Sequence, residues 1–182
     1  MAEPVVGILM GSENDLRIME QAAEVLQGFS VPYEMRVSSA HRMPEETLEY
    51  AKSARRRGLR VLIAGAGMAA HLPGVLAAAT ILPVIGVPLA SGPLNGTDAL
   101  YAIVQMPTGI PVATVAINGA RNAAYLACEI LAVRDDTLAR RLDEWRAAER
   151  RKLSERNSEL GLIPACAPPV DRSDDLVPGR GR

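Results

Sequence analysis

Short apolar runs alternate with longer segments of helical period along most of the chain. The runs VVGILM (5 to 10), PYEMRVS (32 to 38), RVLIAG (60 to 65), PVIGVPL (83 to 89) and PVATVAI (111 to 117) are short and rich in β-branched residues, which predicts five strands. Their near-continuous hydrophobicity is that of strands buried on both faces, as in a parallel sheet covered by helices. Between them, apolar residues recur at helical spacing over about 15 to 27, 45 to 57, 71 to 80, 98 to 106 and 122 to 133. Asn14 or Asp15 is placed to cap the first helix, and Pro44 falls where a first helical turn tolerates proline. The α/β pattern runs over residues 1 to 134, which are expected to form one domain.

Residues 135 to 160 predict a further amphipathic helix. Leu138, Leu142 and Trp145 share one face of it, expected to pack on the domain or on a neighbouring subunit. From 161 to 182 the segment GLIPACAPPVDRSDDLVPGRGR has no period and is rich in proline and glycine, so a tail without regular structure is expected.

Composition narrows the function classes. At 182 residues and 48% hydrophobic, the chain can bury one sizeable core. Aromatic residues are only 3% and the formal net charge is -1, with basic and acidic residues mixed, so base stacking and phosphate-backbone attraction both lack material. Nucleic acid is excluded as the expected partner. Cys128 and Cys166 form neither a CxxC pair nor a disulfide framework, which fits a reducing cytoplasm. The first residues lack a basic region followed by a long apolar one, and no run approaches the ~20 apolar residues of a membrane span.

In an open parallel sheet, ligands collect outside the carboxyl ends of the strands. The five predicted ends read GSEND (11 to 15), SSAHR (38 to 42), GAGMAAHLPG (65 to 74), ASGPLNG (90 to 96) and NGARNAA (118 to 124). Both histidines of the chain, His41 and His71, fall in this set, and two on one rim point to a site more than either alone. Gly11 and Ser12 allow a tight turn at a helix start, which can seat an anion or serve as an ordinary capped β-α turn. Arg42 supplies a permanent cation, for a phosphate or for a surface salt bridge.

Other chemistries lack their residues. GAGMAA fits GxGxxA, but no acidic residue ends the next strand to hold a ribose, so a dinucleotide site is not expected. Gly65, Gly67 and the small Ala66, Ala69 and Ala70 instead allow backbone to approach a small planar ligand. The chain contains no GxSxG, no GxxxxGK[ST] and no HExxH, and too few His and Cys residues for a usual zinc site. Ser38 or Ser39 beside His41 is no sign of a hydrolase, because neighbours along a strand point to opposite faces.

The ordered set GSxxD, SAHRxP, AGAGxAAHLPG, PVxGVPL, IVQMPxGIPVAT and NAAYLA, spread over residues 5 to about 150, resembles the class I N5-carboxyaminoimidazole ribonucleotide mutases, the PurE family. The resemblance implies a three-layer α/β/α sandwich with a flavodoxin-like five-stranded parallel sheet. It also implies a homo-octamer with active sites between subunits. The implied reaction moves a carboxylate from the exocyclic nitrogen of a ribonucleotide substrate to ring carbon C4, in purine biosynthesis, with no metal and no cofactor. On this likeness His41 is the general acid and base, while Ser12, Asp15, Ser39, Arg42, Gly67, His71 and Leu72 bind substrate.

The chain departs from the family pattern at the rim. Asn14 stands in place of a serine and Leu16 in place of a tryptophan; Met68 stands in place of a glycine; AINGARNAA is two residues shorter than the family's segment and carries Arg121. These departures leave two alternatives beside the mutase: a carboxylase or decarboxylase of another aminoimidazole or heteroaromatic nucleotide, and a non-catalytic nucleotide-binding protein.

Overall fold

The computed structural model of the chain describes residues 3 to 162. Most of the expected tail, with Cys166, lies outside the described residues. Five parallel strands, β1 (Val6–Met10), β2 (Tyr33–Val37), β3 (Val61–Gly67), β4 (Val84–Leu89) and β5 (Ala113–Thr114), form one sheet in the order β2-β1-β3-β4-β5. The helices are α1 (Leu16–Gly28), α2 (Pro44–Ala54), α3 (Leu72–Ala79), α4 (Thr97–Val104), α5 (Ala120–Ala132) and α6 (Asp136–Glu159). This is the flavodoxin-like strand order, in which the chain reverses its winding direction between β1 and β3.

Alternation along each strand builds two cores. Val6, Ile8, Met10, Val61, Ile63, Ile85 and Val87 pack against α1 and the alanine-rich face of α5, with Leu138 and Leu142 of α6 in the same cluster. Leu9, Leu62, Ala64 and Val84 point the other way, onto Tyr50 and Ala51 of α2, Leu76 of α3 and Ile103 of α4. β1 is an interior strand and wholly buried, Ile8 pairing with Met35 on one side and Ile63 on the other.

Two expectations change. The fifth strand is far shorter than 111 to 117, because only Ala113 and Thr114 pair with β4. The carbonyls of Gly86 and Pro88 accept from Val115 and Asn118, so this edge of β4 faces β5, and there Pro88 has no N–H to give. Pro111 lacks one as well, which leaves the ladder little length to grow. The first helix also starts differently: Ser12, not Asn14 or Asp15, caps a one-turn 3-10 helix at Glu13–Asp15 that leads into α1. Asp15 stands at the N-cap position of α1 without a side-chain capping bond there.

The chain divides into compact units after Leu142. The first turns of α6 therefore belong to the α/β unit, where Asp135 accepts the N–H groups of Thr137 and Leu138. In the second unit, the remainder of the helix carries exposed i,i+3 ion pairs, Lys152 with Glu149 and Arg156 with Glu159. No described helix is long and apolar enough to cross a membrane.

Candidate active site

At the carboxyl end of the sheet the loops are tied to one another by polar contacts. Beyond β1, the Gly11 N–H donates to the Gly65 carbonyl, 3.2 Å, which keeps the tips of β1 and β3 together. The Ser12 N–H donates to Asp15 Oδ2, 3.0 Å, while Ser12 Oγ accepts the Asn14 N–H, 3.2 Å. These reciprocal bonds form a capping box that fixes the turn after β1. Burial pushes the Asp15 carboxyl above its usual range, and the Ser12 N–H bond partly offsets this.

Beyond β2, Ser38 and Thr47 are fully buried, and their hydroxyls share a 2.8 Å hydrogen bond that pins the end of the strand to α2. Ser39 Oγ accepts the Arg42 backbone N–H, 3.3 Å, and Arg42 Nε at 3.4 Å. Arg42 Nη2 donates to the Gly11 carbonyl, 3.1 Å, so the guanidinium lies across the β1 turn with further N–H donors unused.

The two histidines, 30 residues apart in sequence, meet here. His41 Nε2 lies 2.8 Å from His71 Nδ1, with the rings perpendicular and their centroids 4.9 Å apart. One proton occupies that bond, so the facing nitrogens cannot both be protonated. His41 Nδ1 and His71 Nε2 are not engaged by this contact. His71 stands at the N-cap position of α3 without making a side-chain capping bond, so helix capping does not explain its presence.

Ser12, Asp15, Ser39, His41, Arg42, Gly67, His71 and Leu72 all line one cavity of about 480 Å³ beside the β1/β3 switch point. That volume suits a small nucleotide. The cavity also includes Ser91, from the loop after β4, which was not singled out in the sequence. Its signal was its place after a strand: Ser91 Oγ occupies the space that a Cβ on Gly67 would need. Among the described residues, no group of three or more His, Cys, Asp or Glu side chains could hold a metal ion.

The departures from the family pattern separate into two sets. Asn14 and Met68 line the cavity, whereas Leu16, Asn118 and Arg121 do not. Arg121 pairs with Glu24 at 2.6 Å across α5 and α1, and Asn118 Oδ1 accepts the Ala90 N–H at 2.9 Å. The shortened loop is thereby tied to the scaffold. Met68 has φ 52° and is 55% exposed, a left-handed conformation that costs a residue with a Cβ about 1–2 kcal/mol and glycine almost nothing.

A second cavity, about 690 Å³, opens at the amino end of the sheet among Phe29, Val31, Leu131 and Leu138, with Arg60, Arg134 and Arg141 at its walls. Arg141 Nη1 donates to the Phe29 carbonyl, 2.9 Å.

A model of the protein family described as AIR carboxylase matches residues 5–152. The N5-carboxyaminoimidazole ribonucleotide mutase of Pyrococcus horikoshii is 54% identical over 158 residues, covering 87% of this chain and 89% of that protein. The Bacillus subtilis protein of the same name is 53% identical over 160 residues, covering 87% and 99%. The crystal structure of Treponema denticola PurE superimposes with a TM-score of 0.78 and 31% identity, over 86% of this chain and 98% of that one.

Proposed function

The chain belongs to the AIR carboxylase family, and from that premise we propose that its carboxyl-end cavity performs the reaction of its mutase relatives. The protein acts as an N5-carboxyaminoimidazole ribonucleotide mutase, an isomerase of purine biosynthesis.

The reaction needs a proton given and then taken back. Protonation of the carbamate nitrogen breaks its bond to the carboxyl carbon; the electron pair stays on nitrogen, and CO2 is released beside the ring. Carbon C4 of the electron-rich aminoimidazole then attacks CO2. The adduct still carries the C4 proton, whose removal restores aromaticity and completes the C4 carboxylate. His41 gives the first proton and receives the second, so it ends each turnover as it began, and imidazole is the side chain suited to both acts near neutral pH. The bond to His71 orients the His41 ring and leaves Nδ1 available.

Binding follows from the charges at the rim. The unused N–H donors of Arg42 and the Ser12 turn hold the phosphate. Asp15 accepts from the ribose, and Ser39 keeps the Arg42 head in place. Gly67 and Leu72 form the wall against which the planar ring lies. The observation that carries this reading is the His41–His71 contact in the same cavity as Arg42.

The purified protein, given N5-carboxyaminoimidazole ribonucleotide in labelled bicarbonate, should form C4-carboxylated product without taking up label. Label in every product molecule would mean carboxylation from the medium, and no product above background would overturn the reading. We also propose that the working form is a homo-octamer in the cytoplasm, with sites completed between copies. Native mass spectrometry showing eight chains would support that assembly, and a monomer active at full rate would refute it.

A further inference from the structure

Met68 is held in a backbone conformation that methionine does not favour, yet its side chain gains little from burial. The other described non-glycine residues with positive φ are Ser30, Asn95 and Asn118, and asparagine tolerates this region far better than methionine. The position of the side chain gives it a use. A Cβ built on Gly92 would lie 3.2 Å from Met68 Cγ, 3.5 Å from Sδ and 3.8 Å from Cε. The thioether therefore runs along the bare backbone of Gly92, spanning from the loop after β3 to the loop after β4. Gly67, the last residue of β3, and Ser91, in the loop after β4, line the cavity with it. Across the sheet order, this is the side of the cavity opposite Arg42 and Ser12, with the histidine pair from the β2 and β3 loops also at its wall.

We infer that Met68 is an apolar cover over the carboxylate-transfer end of the cavity, retaining CO2 between its release and its recapture. The inference rests on the mutase reading. CO2 is small and uncharged, so polar contacts hold it poorly and a closed apolar wall holds it better. A methionine suits a cover of this kind, because its unbranched thioether can swing aside for the substrate and settle back against Gly92. The left-handed backbone aims it across the gap.

The quantity that reports the cover is a partition: decarboxylated 5-aminoimidazole ribonucleotide released per molecule of C4-carboxylated product formed. Met68→Gly removes the cover while accepting the backbone, Met68→Ala removes it while keeping the Cβ, and Met68→Leu keeps apolar bulk. The glycine and alanine variants should raise the decarboxylated fraction at least several-fold. The leucine variant should stay near wild type, and melting should show Met68→Gly more stable than Met68→Ala, which confirms that both are folded. A wild-type partition in both the glycine and alanine variants would overturn the cover while leaving the mutase reading intact. A wild-type protein that forms no product would overturn the mutase reading and the cover together.

Discussion

The two ends of the sheet carry cavities of opposite character. The amino-end cavity is the larger, about 690 Å³ against about 480 Å³, and three arginines stand at its walls. Its apolar side belongs to the packing of Val5, Phe29 and Val31 with the end of α5 and the start of α6, and Asp135 there is occupied in capping α6. At the carboxyl end, polar groups are fixed within loops, Ser12 with Asp15 and Arg42 with Ser39, and between loops distant in sequence, Arg42 with Gly11 and His41 with His71. Size and charge do not mark the site; polar groups fixed in place by one another do, because binding then loses less entropy in ordering them.

Substitutions at the two ends should therefore differ widely in effect. His41→Asn keeps a polar side chain but cannot relay a proton. Its kcat should fall roughly 10²- to 10⁴-fold, with product affinity by calorimetry nearly unchanged; a near-normal rate would remove His41 from the chemistry. Arg42→Lys keeps the charge but loses the planar fork. A charge-assisted hydrogen bond contributes about 1.5–3 kcal/mol, so kcat/KM should fall roughly 10- to 100-fold, mostly through KM in steady-state assays.

Gly67→Ala drives a methyl group into Ser91, a steric cost of about 1–3 kcal/mol. The denaturation midpoint should drop accordingly, and Gly67→Ala with Ser91→Gly should recover most of the loss. A smaller effect is expected at Asp15. Burial holds its folded pKa above the unfolded value, so the neutral carboxyl contributes stability at low pH that is lost as pH rises through the folded pKa. Asp15→Asn lacks that loss, and its melting temperature should gain on the wild type as pH rises above 3.8, the ordinary value for an aspartate carboxyl. At the amino end, Arg134→Ala should leave kcat/KM within about twofold, since nothing in the reaction uses that side chain.

Much of this contrast was legible in the sequence, for identifiable reasons. Strand alternation and helical period follow from which side chains must be buried, so the sheet and its two helical layers could be read locally. The motifs at the strand ends marked the rim because parallel topology brings those ends together. The shortness of β5 was not legible, since it depends on Pro88 facing β5, a pairing between segments far apart in the chain. The capping box at Ser12 was present as Ser-x-x-Asp but was hidden by two adjacent candidates, Asn14 and Asp15. The direction of Met68 and the attachment of Arg121 to Glu24 are tertiary facts that no local pattern encodes.

A crystal structure of the wild-type protein with the C4-carboxylated product tests the assignment of the reaction to the carboxyl end most directly. The phosphate should lie against Arg42 and the Ser12 turn, and the imidazole should place its exocyclic nitrogen or C4 substituent within about 3.2 Å of a His41 ring nitrogen, directly or through one water. A product bound in the amino-end cavity, or seated at the carboxyl end with its ring out of reach of His41, would contradict it.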